Sequence, residues 1–280
     1  MSTWRELRKY GESVLQNAGI EDSSFDAFQL LLFVSGYSLQ DYYLKDNDEA
    51  GNSAEEQYNK LLCRRTAKEP LQYILGKWSF YKSEFFVGEG VLIPRPETEE
   101  LVEKSIDLIR KENYKTVYDL CSGSGCIGLS IAKECPDVHC YLFELYDKAY
   151  EYLCKNAENM MLQNVTVVKH DVLTGCLHDL PEADLIVSNP PYIESSTIDF
   201  LQTEVLKEPH TALDGGEDGL VFYRAIADIW IEKLSSGGSV AVECGENQSR
   251  IIKSIFSSSL ESQIFYDVYG VDRFVIGKKV

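Results

Sequence analysis

At 280 residues the chain is long enough for one large domain or two modest ones, and with 44% hydrophobic and 26% charged residues it reads as a globular protein with a real core. Its formal net charge of −18 argues against a surface built to grip nucleic acid, because that grip rests on Lys and Arg neutralising phosphates. No apolar run approaches the roughly 20 residues needed to span a bilayer, and Met1-Ser2-Thr3-Trp4-Arg5-Glu6 has no apolar secretory stretch, so a cytoplasmic location is expected.

Residues 5–68 read as helical. Leu7, Val14, Leu15 and Ala18, then Phe25, Phe28, Leu31 and Leu32, recur near helical spacing, and the polar stretch Asp46–Ala54 reads as an inter-helix loop or helix entry. From Leu71 the pattern changes to short aromatic-rich runs, Gln72–Leu75, Trp78–Tyr81 and Phe85–Val87, punctuated by Gly76, Gly88 and Gly90; these predict a β-hairpin linking two domains. Pro94 and Pro96 exclude a continuous helix or central strand, and a helix is expected from about Glu97, with acid in its first turn.

The remainder alternates strand and helix. Strands are expected at Thr116–Leu120, Val138–Phe143, Val165–Lys169, Leu185–Ser188, Ser239–Val242, Gln263–Val268 and Arg273–Gly277. Helices are expected at Ile127–Glu134, Lys148–Asn159, Leu220–Leu234 and Asn247–Ser258. Repeated βα units predict an α/β fold with a mostly parallel sheet covered on both faces. The last strand, joined to its predecessor by a tight turn at Gly270-Val271-Asp272, must run antiparallel to it. The expected division is a helical domain over 1–70, a hairpin link over 71–96 and an α/β domain over 97–280.

Directly after the first α/β strand comes Asp119-Leu120-Cys121-Ser122-Gly123-Ser124-Gly125-Cys126-Ile127-Gly128, a glycine turn that opens a helix and lets a ligand approach the backbone. Glu144 ends the next strand, where its carboxylate is placed to accept hydrogen bonds from both ribose hydroxyls of a nucleotide cofactor. This geometry does not separate a nicotinamide cofactor from S-adenosylmethionine. Asp171, after the third strand, is within reach of an adenine amino group, with Val172 packing on the ring; a helix cap accounts for an aspartate there equally well.

Ser188-Asn189-Pro190-Pro191-Tyr192 lies just past the fourth strand, at the sheet edge where open α/β folds bind ligands. The prolines stiffen the segment and donate no N–H, leaving the Asn189 side-chain oxygen and the Pro190 carbonyl as a pair of acceptors. Two acceptors suit a planar NH₂ group, and Tyr192 can lie against its face. A nicotinamide enzyme has no use for this second motif.

The glycine loop with Asn-Pro-Pro-Tyr resembles methyltransferases that modify nitrogen on planar groups: adenine, cytosine, guanine or a glutamine amide. Glu69-Pro70-Leu71-Gln72-Tyr73-Ile74-Leu75-Gly76 and Leu92-Ile93-Pro94-Arg95-Pro96-Glu97-Thr98-Glu99 are similar to signatures of the release factor glutamine methyltransferases of the HemK/PrmC type. Glu208-Pro209, Ala212-Leu213, Gly215-Gly216-Glu217-Asp218-Gly219-Leu220, Glu243-Cys244-Gly245 and Asp272-Arg273 extend the resemblance. It covers nearly the whole chain and is weakest before residue 60. Two positions depart from the pattern: Glu144 stands where the family usually has Asp, and Lys207 where an aromatic often precedes the Glu-Pro pair.

The resemblance implies a Rossmann-like class I methyltransferase sheet behind a small helical domain that docks the partner. It implies S-adenosyl-L-methionine as cofactor, S-adenosyl-L-homocysteine as product, no metal, and the glutamine of a Gly-Gly-Gln loop in a peptide chain release factor as substrate; a monomer is expected. Cofactor contacts are expected from Cys121, Ser122, Gly123, Ser124, Gly125, Glu144, Asp171, Val172 and Asn189. Substrate contacts are expected from Asn189, Pro190, Pro191 and Tyr192, with Asn189, Pro190 and Tyr192 catalytic. Arg95 is either a substrate contact or half of a structural ion pair with a nearby Glu, and His170 and His178 are expected at the surface. The eight cysteines form no C-x-x-C pair and are expected as reduced, mostly buried thiols. A ribosomal-protein glutamine methyltransferase shares this core, and a nucleic-acid adenine methyltransferase is the more distant alternative, disfavoured by the acidic balance. A degenerate fold serving as a scaffold is disfavoured by the two intact motifs.

Overall fold

The computed structural model describes residues 2–177 and 179–280, and the chain forms two compact units. The first comprises the residues up to Lys77 together with Gln202–Lys207. Its helices are α1 (Trp4–Asn17), α2 (Ser23–Ser35), α3 (Leu39–Lys45), α4 (Asn52–Thr66) and α5 (Leu71–Leu75). Thr3 and Ser38 each open a capping box, Thr3 with Glu6 and Ser38 with Asp41, so the first free N–H groups of α1 and α3 are satisfied. Leu7, Leu15, Leu30, Leu31, Tyr58 and Leu62 form the centre, whereas Phe25 is about half exposed. One buried charge ties this unit together. Arg65 of α4 donates to Asp26 of α2 at 2.6 Å and to Glu204 at 2.8 Å. Removing one partner of such a pair leaves an uncompensated charge, typically a larger loss than the pair itself contributes.

The aromatic run Gln72–Leu75, expected as a strand, is the short helix α5; Gly76 terminates it in the left-handed conformation. Apolar runs this short have no period that separates strand from helix, and here Leu71, Tyr73 and Ile74 are buried in the helical form. The hairpin itself is present as β1 (Lys77–Phe80) and β2 (Ser83–Phe86).

In the second unit, α6 (Pro96–Glu112) begins with proline at its first turn and carries Glu97 and Glu99 there, as its dipole favours. Then come β3 (Thr116–Leu120), α7 (Cys126–Glu134), β4 (His139–Glu144), α8 (Asp147–Met160), β5 (Val165–Lys169) and β6 (Ala183–Ser188). After a segment of short 3₁₀ turns the chain continues through α9 (Val221–Ala225), β7 (Leu234–Glu243), α10 (Ser249–Phe256), β8 (Leu260–Tyr266) and β9 (Asp272–Lys279). Among the described residues the sheet has seven strands in the order β5-β4-β3-β6-β7-β9-β8. Pairings are parallel except those of β9, which runs antiparallel to both β7 and β8.

Successive residues of β3 serve opposite layers. Val117 packs with Leu101, Ile127 and Leu142 on the face covered by α6 and α7; Tyr118 packs with Phe143, Trp230 and Phe256 on the other. The expected helix Leu220–Leu234 is instead divided into α9, a π-helical turn at Ile226–Trp230 and a 3₁₀ turn at Ile231–Lys233. The widened turn accompanies complete burial of Trp230, whose indole N–H donates to the Val172 carbonyl at 2.9 Å. β7 starts at Leu234, before the expected Ser239; the pairing with β6 shifts register there, so Gly237 and Gly238 sit in a bulge within the strand.

Candidate active site

The chain leaves β3 for β4 on one side of the sheet and later returns to β6 on the other, so the carboxyl ends of β3 and β6 flank the point where strand order reverses. A cavity opens there. It brings together Cys121, Ser122, Gly123 and Ser124 after β3, Glu144 at the end of β4, Asp171 and Val172 after β5, and Asn189 and Pro191 after β6. The segment before α6 adds Val91, Leu92, Pro94 and Arg95, and α6 adds Thr98.

The glycine turn is built by backbone constraints. Gly125 has φ +82°, and a Cβ there would lie 2.5 Å from Leu153 and 2.9 Å from Leu129, so neither the conformation nor the space admits a side chain. Asp119 accepts the Gly128 N–H at 2.9 Å and locks the start of α7 to β3. Burial pushes its carboxyl up to about 7, against the pull of that hydrogen bond. The Ser124 hydroxyl is buried without a partner at the cavity wall. Burial drives the thiol of Cys121 far up and that of Cys126 to about 12, so both stay protonated and the loop holds no nucleophilic thiolate.

Glu144 is folded back on its own strand end. Its Oε2 accepts the Gly123 N–H at 2.8 Å and its Oε1 accepts those of Leu145 and Tyr146 at 2.9 Å each. Burial raises its pKa, with the three N–H groups opposing the rise. A carboxylate has about four acceptor positions. The remaining one is on Oε2, so a pair of ribose hydroxyls would share this oxygen or displace a loop contact. The added methylene relative to Asp permits the fold-back.

Asp171 accepts the Leu173 N–H at 2.9 Å, a turn contact that leaves its other oxygen for a ligand, while Val172 is buried at the cavity wall. His170, expected at the surface, is partly buried. Its ring packs on Trp230 at 6.0 Å and Phe143 at 6.4 Å, its Nε2 meets the Gly175 carbonyl oxygen, and it lines the cavity. Trp230 of the Ile226–Trp230 turn covers part of the ring. His178 lies outside the described residues.

Asn189 donates its Nδ2–H to the Thr98 hydroxyl at 3.1 Å, which turns its oxygen away from that contact. Pro190 and Tyr192 do not line the cavity with Asn189 and Pro191. The Tyr192 main chain is clamped from beyond the site: Gln248 Nε2 donates to its carbonyl at 2.9 Å, and a Cβ on Gly215 would stand 2.8 Å from its Cα. A Cβ on Gly219 would strike the Tyr192 carbonyl oxygen. Its ring turns toward Gly245 at the end of β7, and burial with the nearby Glu243 charge pushes the phenol up to about 12, Arg273 and Arg95 opposing. Tyr192 is therefore a neutral phenol.

Residues that the motifs did not assign complete the site. Glu208 has a buried carboxylate that accepts the Ile93 N–H at 3.0 Å and pairs with Arg95 at 2.5 Å, so of the two readings of Arg95 the ion pair is present, at the cavity edge. Glu243, the last residue of β7, is buried behind Thr98 and Asn189. Its signal was in the sequence: an acid ending the apolar strand Val240-Ala241-Val242 at the carboxyl edge of a sheet covered on both faces. Among the described residues no His, Cys, Asp and Glu group is arranged to hold a metal, and no helix is long and apolar enough to cross a membrane.

Comparison with known proteins matches both units. Residues 6–76 match the family described as the PrmC N-terminal domain, and residues 102–227 the methyltransferase small domain. The release factor glutamine methyltransferase of Clostridium botulinum is 35% identical over 287 residues, covering 98% of this chain and 99% of that protein. Those of Caulobacter vibrioides and Geobacter sulfurreducens are each 35% identical, covering 95% and 99% of this chain and 92% and 96% of theirs. Among solved structures, the catalytic domain of hMettl16, determined in complex with a MAT2A 3′UTR hairpin, superposes with a TM-score of 0.57 at 15% identity over 81% of each chain, a likeness of fold alone. Identity at this level along nearly the full length places the chain in the release factor glutamine methyltransferase family.

Proposed function

We propose that this protein transfers the methyl group of S-adenosyl-L-methionine to the side-chain amide nitrogen, N5, of the glutamine in the Gly-Gly-Gln segment of peptide chain release factors. The observation that carries the reading is Asn189, whose amide nitrogen is engaged by Thr98 while the residue lines a cavity shared with the glycine turn, Glu144 and Asp171. On this reading residues 97–280 are the transferase, 1–70 dock the factor and 71–96 link them, and the enzyme works in the cytoplasm as a monomer without a metal.

The cavity's residues fit the cofactor. Glu144 keeps an acceptor position for ribose, Asp171 one for the adenine amino group, Val172 forms an apolar floor, and the buried Ser124 hydroxyl seeks a partner. Cys121, Ser122 and Gly123 supply the close backbone at the cavity, and Gly125, expected as a contact, lies off its lining and shapes the turn against Leu153 and Leu129. When bound, S-adenosyl-L-methionine supplies a methyl group on an electrophilic sulfonium, leaving S-adenosyl-L-homocysteine as product.

An amide nitrogen is a weak nucleophile because its lone pair is shared with the carbonyl, so the protein's task is orientation. Asn189 Oδ1, at the cavity wall, accepts an N–H of the amide so that the out-of-plane lone pair faces the methyl group; the Pro190 carbonyl, off the cavity lining, would accept the second N–H once the substrate is seated, and Pro191 stiffens the turn. Holding reacting atoms in line contributes roughly 7–11 kcal/mol in favourable cases. The same two oxygens stabilise the positive charge that develops on nitrogen. Tyr192 is a neutral phenol whose clamped main chain holds the turn that carries Asn189; to lie against the amide plane its ring would have to turn from Gly245 toward the cavity. The nitrogen becomes strongly acidic once methylated, so water takes its proton. Mass spectrometry of release factor incubated with enzyme and cofactor tests this. One added methyl group on the Gly-Gly-Gln glutamine is expected, and a methyl group on any other residue would contradict it.

A further inference from the structure

We propose that Glu243 decides which end of the Asn189 amide faces the cavity, acting with Thr98, and is thereby a positioning residue for methyl transfer. The inference rests on the function proposed above and adds a residue to it.

An asparagine amide is nearly symmetric in shape, but its two ends have opposite roles: the oxygen accepts and the NH₂ donates. An amide substrate needs the oxygen. With the NH₂ turned inward, two donors would face each other and the substrate nitrogen would be held by neither. Shape alone does not choose between these states, so something behind Asn189 has to.

The Asn189 Nδ2 stands 3.1 Å from Thr98 Oγ1, and both residues line the cavity. A threonine hydroxyl that accepts one hydrogen bond still has a proton to place. Glu243 is 2% exposed, its Oε2 meets no partner of good geometry, and the Thr98 hydroxyl and the Asn189 amide both bear on its carboxyl. An ionised carboxylate only accepts, so both neighbours must present hydrogens to it. Thr98 turns its proton inward, Asn189 turns its NH₂ inward, and the Asn189 oxygen is left facing the cavity. A buried acceptor without donors costs free energy, and this cost penalises the reversed amide.

Groups from each packed element act on this carboxyl. Burial pushes it up to about 7; the Thr98 hydroxyl, Arg273 of β9 and the Asn189 amide pull it down, and Glu97 of α6 pushes it up. Its charge in turn raises the Tyr192 phenol and the Cys244 and Cys126 thiols. Tyr223 is held to the main chain instead, donating to the Glu243 carbonyl at 2.8 Å. Protonation gives Glu243 a donor, which can bond the Asn189 oxygen and reverse the amide. Turnover then falls as pH drops through the titration of this group.

The test is release-factor methylation by wild type, Glu243→Gln, Thr98→Val and the double variant, with kcat and KM followed across pH, cofactor affinity by calorimetry and folding by thermal melting. Glu243→Gln keeps the shape but adds a donor. We expect kcat to fall by about tenfold or more, with cofactor affinity within about threefold, and the acid limb of the pH profile to disappear. Thr98→Val is expected to lower kcat similarly, and the double variant to be no worse than the weaker single, because both act on one amide. An unchanged kcat and pH profile in Glu243→Gln overturns the inference, as do losses that multiply in the double variant or that track a fall in cofactor affinity and melting temperature. A wild-type enzyme that labels no release factor overturns the functional reading, and this inference with it.

Discussion

The amide nitrogen of Asn189 meets the hydroxyl of Thr98 at 3.1 Å, joining the turn after β6 to the first turn of α6. This contact makes the asparagine an acceptor toward the cavity. Replacing Asn189 with Ala is expected to lower turnover by on the order of 10²–10³-fold, the range found when one preorganised transition-state contact is removed. Cofactor affinity should stay within a few-fold of wild type, because the glycine turn and Glu144 are untouched. Steady-state kinetics with parallel calorimetry separate the two effects, and a variant with normal turnover would remove Asn189 from the mechanism.

On the proposed reading Glu144 holds the cofactor. Its carboxylate fixes the Gly123, Leu145 and Tyr146 N–H groups. Glu144→Ala frees those donors and deletes the proposed ribose acceptor, and is expected to weaken cofactor binding by about 10–100-fold, the worth of a hydrogen bond to a charged group. Glu144→Asp should recover much of the loss. Calorimetric titration checks both, and equal dissociation constants for wild type and the alanine variant would count against this assignment.

Gly219 has φ +70° and stands against the Tyr192 carbonyl oxygen. Alanine there meets both an unfavourable backbone conformation and an occupied space, so Gly219→Ala is expected to cost on the order of 1–3 kcal/mol in urea unfolding. The turn after β6 should shift with it, lowering kcat more than cofactor affinity. A variant as stable and as active as wild type would show that the clamp on Tyr192 is dispensable.

Asp119 and Glu243 each have a carboxyl pushed up to about 7 by burial. A folded-state pKa above the unfolded value means that the folded chain binds protons more tightly. The stability these groups contribute is therefore complete below about pH 4 and is lost as pH rises through about 7. Thermal melting should show a falling midpoint between pH 5 and 8, and Glu243→Gln should flatten part of that slope. At pH 8 the variant should be more stable than wild type by on the order of 1–3 kcal/mol, since it no longer buries a charge. Parallel slopes in the two proteins would mean that Glu243 titrates normally.

Much of this was legible from residue order. Thr116–Leu120 and Val165–Lys169 occupy the expected strand positions because β-branched and aromatic residues there are bounded by clear turns. The two motifs fall at the sheet edge that strand–helix alternation implies, and Arg95 has the acidic partner considered for it. The failures have local causes. Gln72–Leu75 was too short to show a period, and the break at Ile226–Trp230 accompanies the burial of one indole, which no spacing announces. The strand expected from Ser239 begins at Leu234, with Gly237-Gly238 in a bulge inside β7. Thr98, Glu208 and Glu243 were quoted as parts of motifs without roles, because their roles depend on contacts across 91 to 115 positions or on burial. Sequence spacing cannot show such contacts.

The most direct test of the central claim offers labelled S-adenosyl-L-methionine and the enzyme side by side to purified release factor, to the same factor with its Gly-Gly-Gln glutamine changed to Ala, and to unmethylated adenine-rich DNA. Label is expected on the wild-type factor alone, and its loss with Asn189→Ala. Label on the DNA, with none on either protein, would contradict the substrate while leaving the fold and the glycine-turn site in place.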